Sequence, residues 1–235
     1  MLTTDFWHKY FKVYDVLNLA IPYQELLNSV CGELDIKSGE RILEAGSGTG
    51  NLALKIKERG GLPVGIDMSQ EGINIHKNKD PGVEVILGNL TDKLPFQDNS
   101  FDKICSNNTL YAIPRDKRDA VIKELYRILK PNGKIVISNI TEGFSPFKIY
   151  KDHVLKEFKR NGLLYILRNI VKFIKPTIKM FYYNHLIKKE HGDGDFDFFE
   201  EGEQKKILEE NRFKNISNEK RVYANQAVLT SAYKI

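Results

Sequence analysis

Short apolar runs alternate with helical periodicities through the middle of the chain. Five runs predict buried strands, at Arg41–Ala45, Pro63–Asp67, Val83–Leu87, Phe101–Cys105 and Lys134–Ser138. The segments between them place apolar residues at helical spacing, as at Val121, Leu125 and Ile128. Lys130-Pro131-Asn132-Gly133 then predicts a helix stop and a turn. Strands that alternate with helices predict βαβ units and a mostly parallel sheet.

The segments that flank this region have other patterns. Residues 5–35 predict helices interrupted at Pro22, and after residue 200 the chain predicts a helix at 201–211 and strands at 213–219 and 226–233. Together these elements predict an α/β fold, a Rossmann-like, mostly parallel seven-stranded sheet with helices on both faces. We divide the chain into an N-terminal helical lid (1–35), a core (36–143), a helical cap inserted before the last two strands (144–200) and a completion of the core sheet (201–235).

The inserted segment is basic and aromatic. Residues 144–189 contain eleven Lys and Arg against two acids, whereas the whole chain has a net charge of only +5. Leu163–Ile174 predicts an amphipathic helix, with Arg168 and Lys172 on its polar face and Pro176 at its end. One interpretation is a cap that packs its apolar face on the core and can also cover an apolar pocket. The other is an interfacial helix that docks on anionic lipid. The acidic residues 190–197 lack full calcium-loop spacing and predict a hinge.

Length and composition indicate which class of protein this chain belongs to. The 235 residues suit one elaborated domain, and 41% hydrophobic with 29% charged residues is typical of a folded soluble protein. No apolar run approaches the ~20 residues of a membrane-spanning helix, and the first ten residues have no signal-peptide core. Cys31 and Cys105 lack metal-ligand spacing, so we expect no metal site, no disulfide framework and a cytoplasmic location.

A glycine-rich loop follows the first predicted strand. Glu44-Ala45-Gly46-Ser47-Gly48-Thr49-Gly50 allows a tight turn and a close approach of the backbone to a ligand. The helix that starts there suits an anionic group. The glycine spacing of the loop, G-x-G-x-G with an acid two residues before the first glycine, differs from the G-x-G-x-x-G pattern of dinucleotide-binding proteins.

Polar residues also end the next strands. Asp67 ends the second strand, where a carboxylate can accept hydrogen bonds from both hydroxyls of a ribose. Gly88-Asn89-Leu90 ends the third, and Ser106-Asn107-Asn108 ends the fourth. Ligands of open α/β sheets bind at such strand ends, so these residues predict one binding site.

With these motifs, residues 5–140 and the last thirty or so resemble the class I S-adenosylmethionine-dependent methyltransferases. Tyr14-Asp15-Val16-Leu17-Asn18 looks like the small-molecule and lipid branch, which includes the ubiquinone and menaquinone biosynthesis methyltransferases. The resemblance implies S-adenosyl-L-methionine as the cofactor. It implies that Glu44 holds the ammonium of the methionine part. The other residues implied around that part are Tyr14, Gly46, Ser47, Gly48, Thr49, Gly50 and Asn107.

The resemblance also implies contacts to the nucleoside. Asp67 would bind the ribose, Met68 would pack on the adenine, and Asn89 and Leu90 would meet its edge. The family usually has Asp where this chain has Asn89, so the adenine contact loses charge assistance.

The methyl acceptor is expected to be a small, largely apolar molecule, with an anionic group as an option. The sulfonium methyl is already activated, so the protein must mainly align the acceptor and exclude water. Candidate catalytic residues are Tyr111, which follows the fourth strand, and His8 and Tyr14 of the lid; His153, His185 and His191 lie in the insertion. His76, on the helix after Asp67, is expected to face solvent.

Three other functions are considered. One is a lipid or quinone methyltransferase at a membrane surface, in peripheral contact with anionic lipid. Another is an RNA or protein methyltransferase, although 9 Arg against 27 Lys gives no evident base-reading surface and no nucleic acid is expected. The third is a catalytically silent partner subunit. The sequence leaves the oligomeric state open.

Overall fold

The computed structural model describes residues 4–191 and 197–235, without the side chains of 4, 5, 7, 8, 165–177, 180, 184 and 187–191. Its helices are α1 (Thr4–Tyr14), α2 (Ile21–Leu34), α3 (Asn51–Glu58), α4 (Gln70–Lys79), α5 (Arg115–Ile128), α6 (Pro146–His191) and α7 (Glu203–Glu210). Its strands are β1 (Arg41–Ala45), β2 (Leu62–Asp67), β3 (Glu84–Leu87), β4 (Phe101–Asn107), β5 (Leu129–Ile140), β6 (Lys220–Val222) and β7 (Ala227–Tyr233). Two 3₁₀ turns cover Asp15–Leu19 and Leu110–Ala112.

The strands form one seven-stranded sheet in the order β3-β2-β1-β4-β5-β7-β6. Pairs among β1 to β5 are parallel, and β7 is antiparallel to both of its neighbours. The predicted mostly parallel seven-stranded sheet is therefore confirmed. The strand order reverses between β1 and β4, which is where ligands bind in open α/β sheets.

The predicted helical periodicity matches the buried faces of the helices. In α2, Leu26, Leu27, Val30 and Leu34 are fully buried, and the helix packs against β4 and β5. Pro22 lies in the first turn of α2, where its missing N–H removes no helical hydrogen bond. In α5, the fully or almost fully buried residues are Val121, Ile122, Leu125 and Ile128.

Two predictions, one of a turn and one of a strand, need correction. The turn predicted at Lys130–Gly133 lies inside β5 as an irregularity: Phe101 pairs with Leu129, Lys103 pairs with Lys134, and Asn132 has a φ of +62°. The strand predicted at 213–219 is wrong, because only an isolated bridge joins Lys214 to Tyr233 there and β6 begins at Lys220. Asn215 has a φ of +49°, which an extended strand does not allow.

The inserted segment forms one long helix with a break. α6 runs from Pro146 to His191, and Gly162 (φ +75°) is non-helical within it. The helix end predicted at Pro176 is wrong, since a proline removes one N–H donor but does not by itself end a helix. Leu163, expected on the inward face, is 57% exposed. The side chains of the other apolar positions predicted for this helix lie outside the described part of the chain: Ile166, Leu167, Ile170, Val171 and Ile174.

Candidate cofactor and acceptor site

A cavity lies at the carboxyl ends of β1, β2, β3 and β4. The loop after β1 lines it together with residues that follow the other three strands, and α1 and α2 contribute aromatic side chains. Of the residues predicted to bind the cofactor, all but Gly50 line this cavity: Tyr14, Glu44, Gly46, Ser47, Gly48, Thr49, Asp67, Met68, Asn89, Leu90 and Asn107. The structure therefore brings the predicted set together.

The glycines of the loop are required by close packing as well as by the turn. Gly46 has a φ of +82°, and a Cβ on it would lie 2.2 Å from the Thr109 side chain. Gly50 does not line the cavity; it precedes α3 with a φ of +78°, and a Cβ there would lie 2.0 Å from the His76 ring. Both positions therefore need glycine for conformation and for space.

Two buried carboxylates face the cavity. Burial raises the pKa of Glu44 well above its ordinary value, and the nearby Asp67 carboxylate raises it further. Its Oε2 atom has no hydrogen-bond partner among the described residues. A buried, unpartnered carboxylate oxygen is costly unless a ligand satisfies it, so Glu44 suits a cationic group such as an ammonium.

Asp67 is tied to the glycine loop. Its Oδ2 accepts from the Gly48 N–H at 2.8 Å, and its Oδ1 accepts from the Ser69 N–H at 2.8 Å. Burial raises the pKa of Asp67 to about 6, although these backbone hydrogen bonds oppose that shift. Each carboxylate oxygen has a second lone pair, so the residue can still accept hydrogen bonds from a ligand.

The remaining predicted residues have individual environments. Asn89 Oδ1 accepts from the Thr91 N–H at 3.0 Å, which closes the turn after β3. Asn107 Oδ1 accepts from the Ser138 hydroxyl at 3.1 Å, which fixes its side chain. Met68 is 43% exposed, so it offers an open apolar surface at the cavity.

A polar network joins the lid to the glycine loop and was not predicted from the sequence. Lys79 of α4 donates to Asp15 Oδ1 at 2.7 Å, to the Thr49 carbonyl at 2.9 Å and to Asn51 Oδ1 at 2.7 Å. The Thr49 hydroxyl also donates to Asp15, and Asn18 donates to Asn51 Oδ1 at 2.8 Å. We call Asp15, Asn18, Thr49, Asn51 and Lys79 the lid clasp. The only local signal for it was the Tyr14–Asn18 segment.

Five tyrosines line the cavity and form the tyrosine cluster: Tyr10, Tyr14, Tyr23, Tyr111 and Tyr223. The Tyr23 and Tyr14 hydroxyls lie 3.3 Å apart, and the ring centroids of Tyr10 and Tyr14 are 5.3 Å apart. Burial raises the pKa of all five, that of Tyr23 to about 12. Their phenols therefore stay protonated near neutral pH. They can donate hydrogen bonds but are poor bases there.

The catalytic candidates fall in different places. Tyr111 and Tyr14 line the cavity, whereas the side chain of His8, like that of His191, lies outside the described part of the chain. His153 accepts from the Ile21 N–H at the start of α2 through its Nδ1, and His185 is exposed. Neither His153 nor His185 lines the cavity.

The expectation that His76 faces solvent is wrong. The residue is fully buried, and neither ring nitrogen has a hydrogen-bond partner among the described residues. The reason is tertiary packing, since α4 lies against the glycine loop and the His76 ring occupies the space next to Gly50. Burial lowers the pKa of His76 to about 4, so the ring is neutral at physiological pH.

Comparison with known proteins agrees with this geometry. Residues 43–137 match the model of a methyltransferase domain family. A demethylmenaquinone methyltransferase of Renibacterium salmoninarum is 30% identical over 120 residues, which are 50% of this chain and 49% of the relative. The chain thus spans about half the length of this curated relative.

Solved structures are similar over nearly the whole chain. A SAM-dependent methyltransferase of Thermotoga maritima has a TM-score of 0.63 at 18% identity and covers 100% of both chains. A chain in the complex between the Haloferax volcanii Trm112 methyltransferase activator and a methyltransferase has a TM-score of 0.65 at 13% identity, covering 98% of this chain and 97% of that one. The fold, the placement of the motifs and the matched domain lead to one conclusion. Residues 43–137 of this chain match a methyltransferase domain, and the whole chain has the fold of solved S-adenosylmethionine-dependent methyltransferases.

Proposed function

We propose that the protein transfers a methyl group from S-adenosyl-L-methionine to a small, neutral, largely apolar acceptor. The observation that supports this most strongly is the junction of two surfaces in one cavity. Glu44, Asp67 and the glycine loop lie on one side, and the tyrosine cluster adjoins them.

The cofactor side carries the charge that a cationic cofactor requires. Glu44 holds the ammonium of the methionine part, with its unpartnered Oε2 atom as the acceptor. Asp67 accepts from the ribose hydroxyls, and Met68 and Leu90 pack on the adenine. The Thr49 hydroxyl donates its hydrogen bond to Asp15. The methionine carboxylate is therefore bound by backbone N–H groups of the loop.

Bound S-adenosyl-L-methionine supplies an electrophilic methyl group on a sulfonium sulfur. The chain's residues hold the acceptor's nucleophilic atom in line with that methyl and keep water out. The cofactor would supply the methyl group and become S-adenosylhomocysteine, and the proton lost by a phenol or quinol acceptor would pass to solvent with the product, since the tyrosine cluster is a poor base. The tyrosine cluster orients the acceptor by donating hydrogen bonds.

The charge of the cavity favours a neutral acceptor. Among the described residues that line it, none is Lys, Arg or His, whereas Glu44 and Asp67 are acidic. An anionic group on the acceptor would lie near these carboxylates with no cationic side chain in the cavity lining to pair with it, and its desolvation would be poorly compensated. We therefore propose an acceptor without the anionic group that the sequence analysis allowed. Four of the five tyrosines are buried, which also favours a small molecule over RNA or protein.

Methyl-labelled S-adenosylmethionine and a panel of phenols, quinols and their carboxylated analogues test this proposal. We expect label in the neutral compounds, and transfer restricted to carboxylated compounds or to RNA or protein would contradict it. Tyr111→Phe should lower kcat at least tenfold with unchanged affinity for S-adenosylhomocysteine, since a hydrogen bond to the acceptor is lost. Tyr126→Phe is the matched control, because its hydroxyl bonds to the Ile235 carbonyl outside the cavity.

A further inference from the structure

Before its break at Gly162 and just after it, α6 exposes large apolar side chains. Between residues 147 and 164, five such residues are 49–78% exposed: Phe147, Leu155, Phe158, Leu163 and Leu164. Phe147, Leu155 and Phe158 are separated by eight and three residues, a spacing that places them along one side of a helix. The inward side is held by Ile149, which is 7% exposed, and by His153, bonded to the start of α2. These side chains therefore form an apolar surface that the described residues leave uncovered.

Positive charge surrounds the same surface. Lys148, Lys151, Lys159 and Arg160 are exposed, and none forms an ion pair with a described residue. The acids of this stretch, Asp152 and Glu157, lie on less exposed positions, and Asp152 is paired with Lys156. No exposed position in 147–164 is acidic. We call these five apolar and four basic residues the α6 patch.

We propose that the α6 patch docks on the surface of an anionic lipid bilayer. Leucine and phenylalanine side chains can enter the boundary between headgroups and acyl chains, while Lys and Arg remain at the level of the anionic headgroups. Anionic lipid thus matches both parts of the patch. Nucleic acid would match only the cations, leaving the apolar side chains exposed. A two-fold contact between copies would bring these like charges together.

The position of α6 gives this docking a consequence for the cavity. Phe144, two residues before α6, lines the cavity, and Tyr183 near the other end of α6 packs on Phe6 and Tyr10 of the lid. A bilayer that binds α6 would therefore also restrain the elements that border the acceptor side of the cavity. Among the described residues, no helix is long and apolar enough to cross a membrane, and docking at the surface requires none.

Vesicle co-sedimentation without any cofactor tests the proposal independently of methyl transfer. We expect binding to vesicles of phosphatidylcholine with phosphatidylglycerol, weakened by salt, and little binding to phosphatidylcholine alone. Phe158→Ser and Leu164→Ser should each weaken binding about tenfold, and Lys151→Glu and Lys159→Glu should each weaken it at least fivefold. All four side chains are exposed, so the variants should unfold at the wild-type temperature.

Matched controls use exposed residues elsewhere. Leu62→Ser, at the start of β2, and Lys117→Glu, in α5, should bind like the wild type. Equal binding to both kinds of vesicle, or no binding, would overturn the proposal. So would binding that survives both serine substitutions, because the protein would then behave as a general polyanion binder. A dimer in solution that Phe158→Ser abolishes would assign the patch to a second copy instead.

Discussion

At the scale of single residues, the site depends on positions where only one side chain fits. Gly46 lies in the left-handed region, and any Cβ there would overlap the Thr109 side chain. His76 fills the space beside Gly50 and remains neutral because burial lowers its pKa. The spacing of the glycine loop predicted the turn but not these two contacts, because Thr109 and His76 are distant in sequence.

Gly46→Ala should destabilise the protein by more than backbone strain alone. A left-handed alanine costs about 1–2 kcal/mol, and the overlap with Thr109 should add to that cost. Gly143→Ala is the matched control, since its φ is +74° and no atom lies within 4 Å of the added Cβ. Urea unfolding of both variants measures the difference. Equal losses of unfolding free energy would show that Thr109 imposes no constraint.

His76 should make stability fall in acid. Its pKa is about 4 in the folded protein and near 6.5 when unfolded, so the unfolded state binds more protons between these values. The free energy of unfolding should therefore fall by about 3 kcal/mol as pH drops from 6.5 to 4 on account of this residue. Above pH 6.5 its contribution is fully present.

The His76 effect is measured as the difference between the wild type and His76→Gln across that pH range. Asp67 has the opposite effect on stability in acid, because its raised pKa means that the folded state binds a proton at higher pH than the unfolded state. Both proteins contain Asp67, so its effect cancels in the difference. His185→Gln, at an exposed site, is the control. Parallel pH profiles for the wild type and His76→Gln would contradict the burial of a neutral ring.

At the scale of elements, the lid is joined to the sheet by side chains from three segments. Lys79 ends α4, Asp15 begins the turn after α1, and Thr49 lies in the glycine loop just before Asn51, the first residue of α3. Apolar periodicity predicted these helices but not the contacts between them, since Asp15 and Lys79 are 64 residues apart. The same limit applies to α6, where Gly162 rather than Pro176 interrupts the helix.

Lys79→Met should loosen the lid. The substitution keeps a long apolar stem but removes three hydrogen bonds, one of them to a carboxylate. We expect faster amide hydrogen exchange over residues 10–20 and about tenfold weaker binding of S-adenosylhomocysteine, because Thr49 and Tyr14 line the cavity. Lys77→Met, exposed on the same helix, should change neither. Unchanged exchange in the lid of Lys79→Met would refute the clasp.

At the scale of the whole molecule, the sheet explains why distant motifs meet. Parallel strands place the ends of β1, β2, β3 and β4 at one edge, so motifs after each strand converge there. This convergence was predictable from the sequence because each motif directly follows a predicted strand, and the carboxyl ends of parallel strands lie at the same edge of a sheet. The acceptor side was not, because Tyr23 and Tyr223 reach the cavity from α2 and from the loop between β6 and β7.

The central claim is that this edge of the sheet binds the cofactor through Glu44, the glycine loop and Asp67. Calorimetric titration with S-adenosylhomocysteine, with NAD as the comparison ligand, tests it most directly. We predict binding of S-adenosylhomocysteine but not NAD, and at least tenfold weaker binding by Asp67→Ala, about 1.4 kcal/mol, but not by the exposed Asp116→Ala. Unchanged affinity in Asp67→Ala, or equal binding of NAD, would contradict the account.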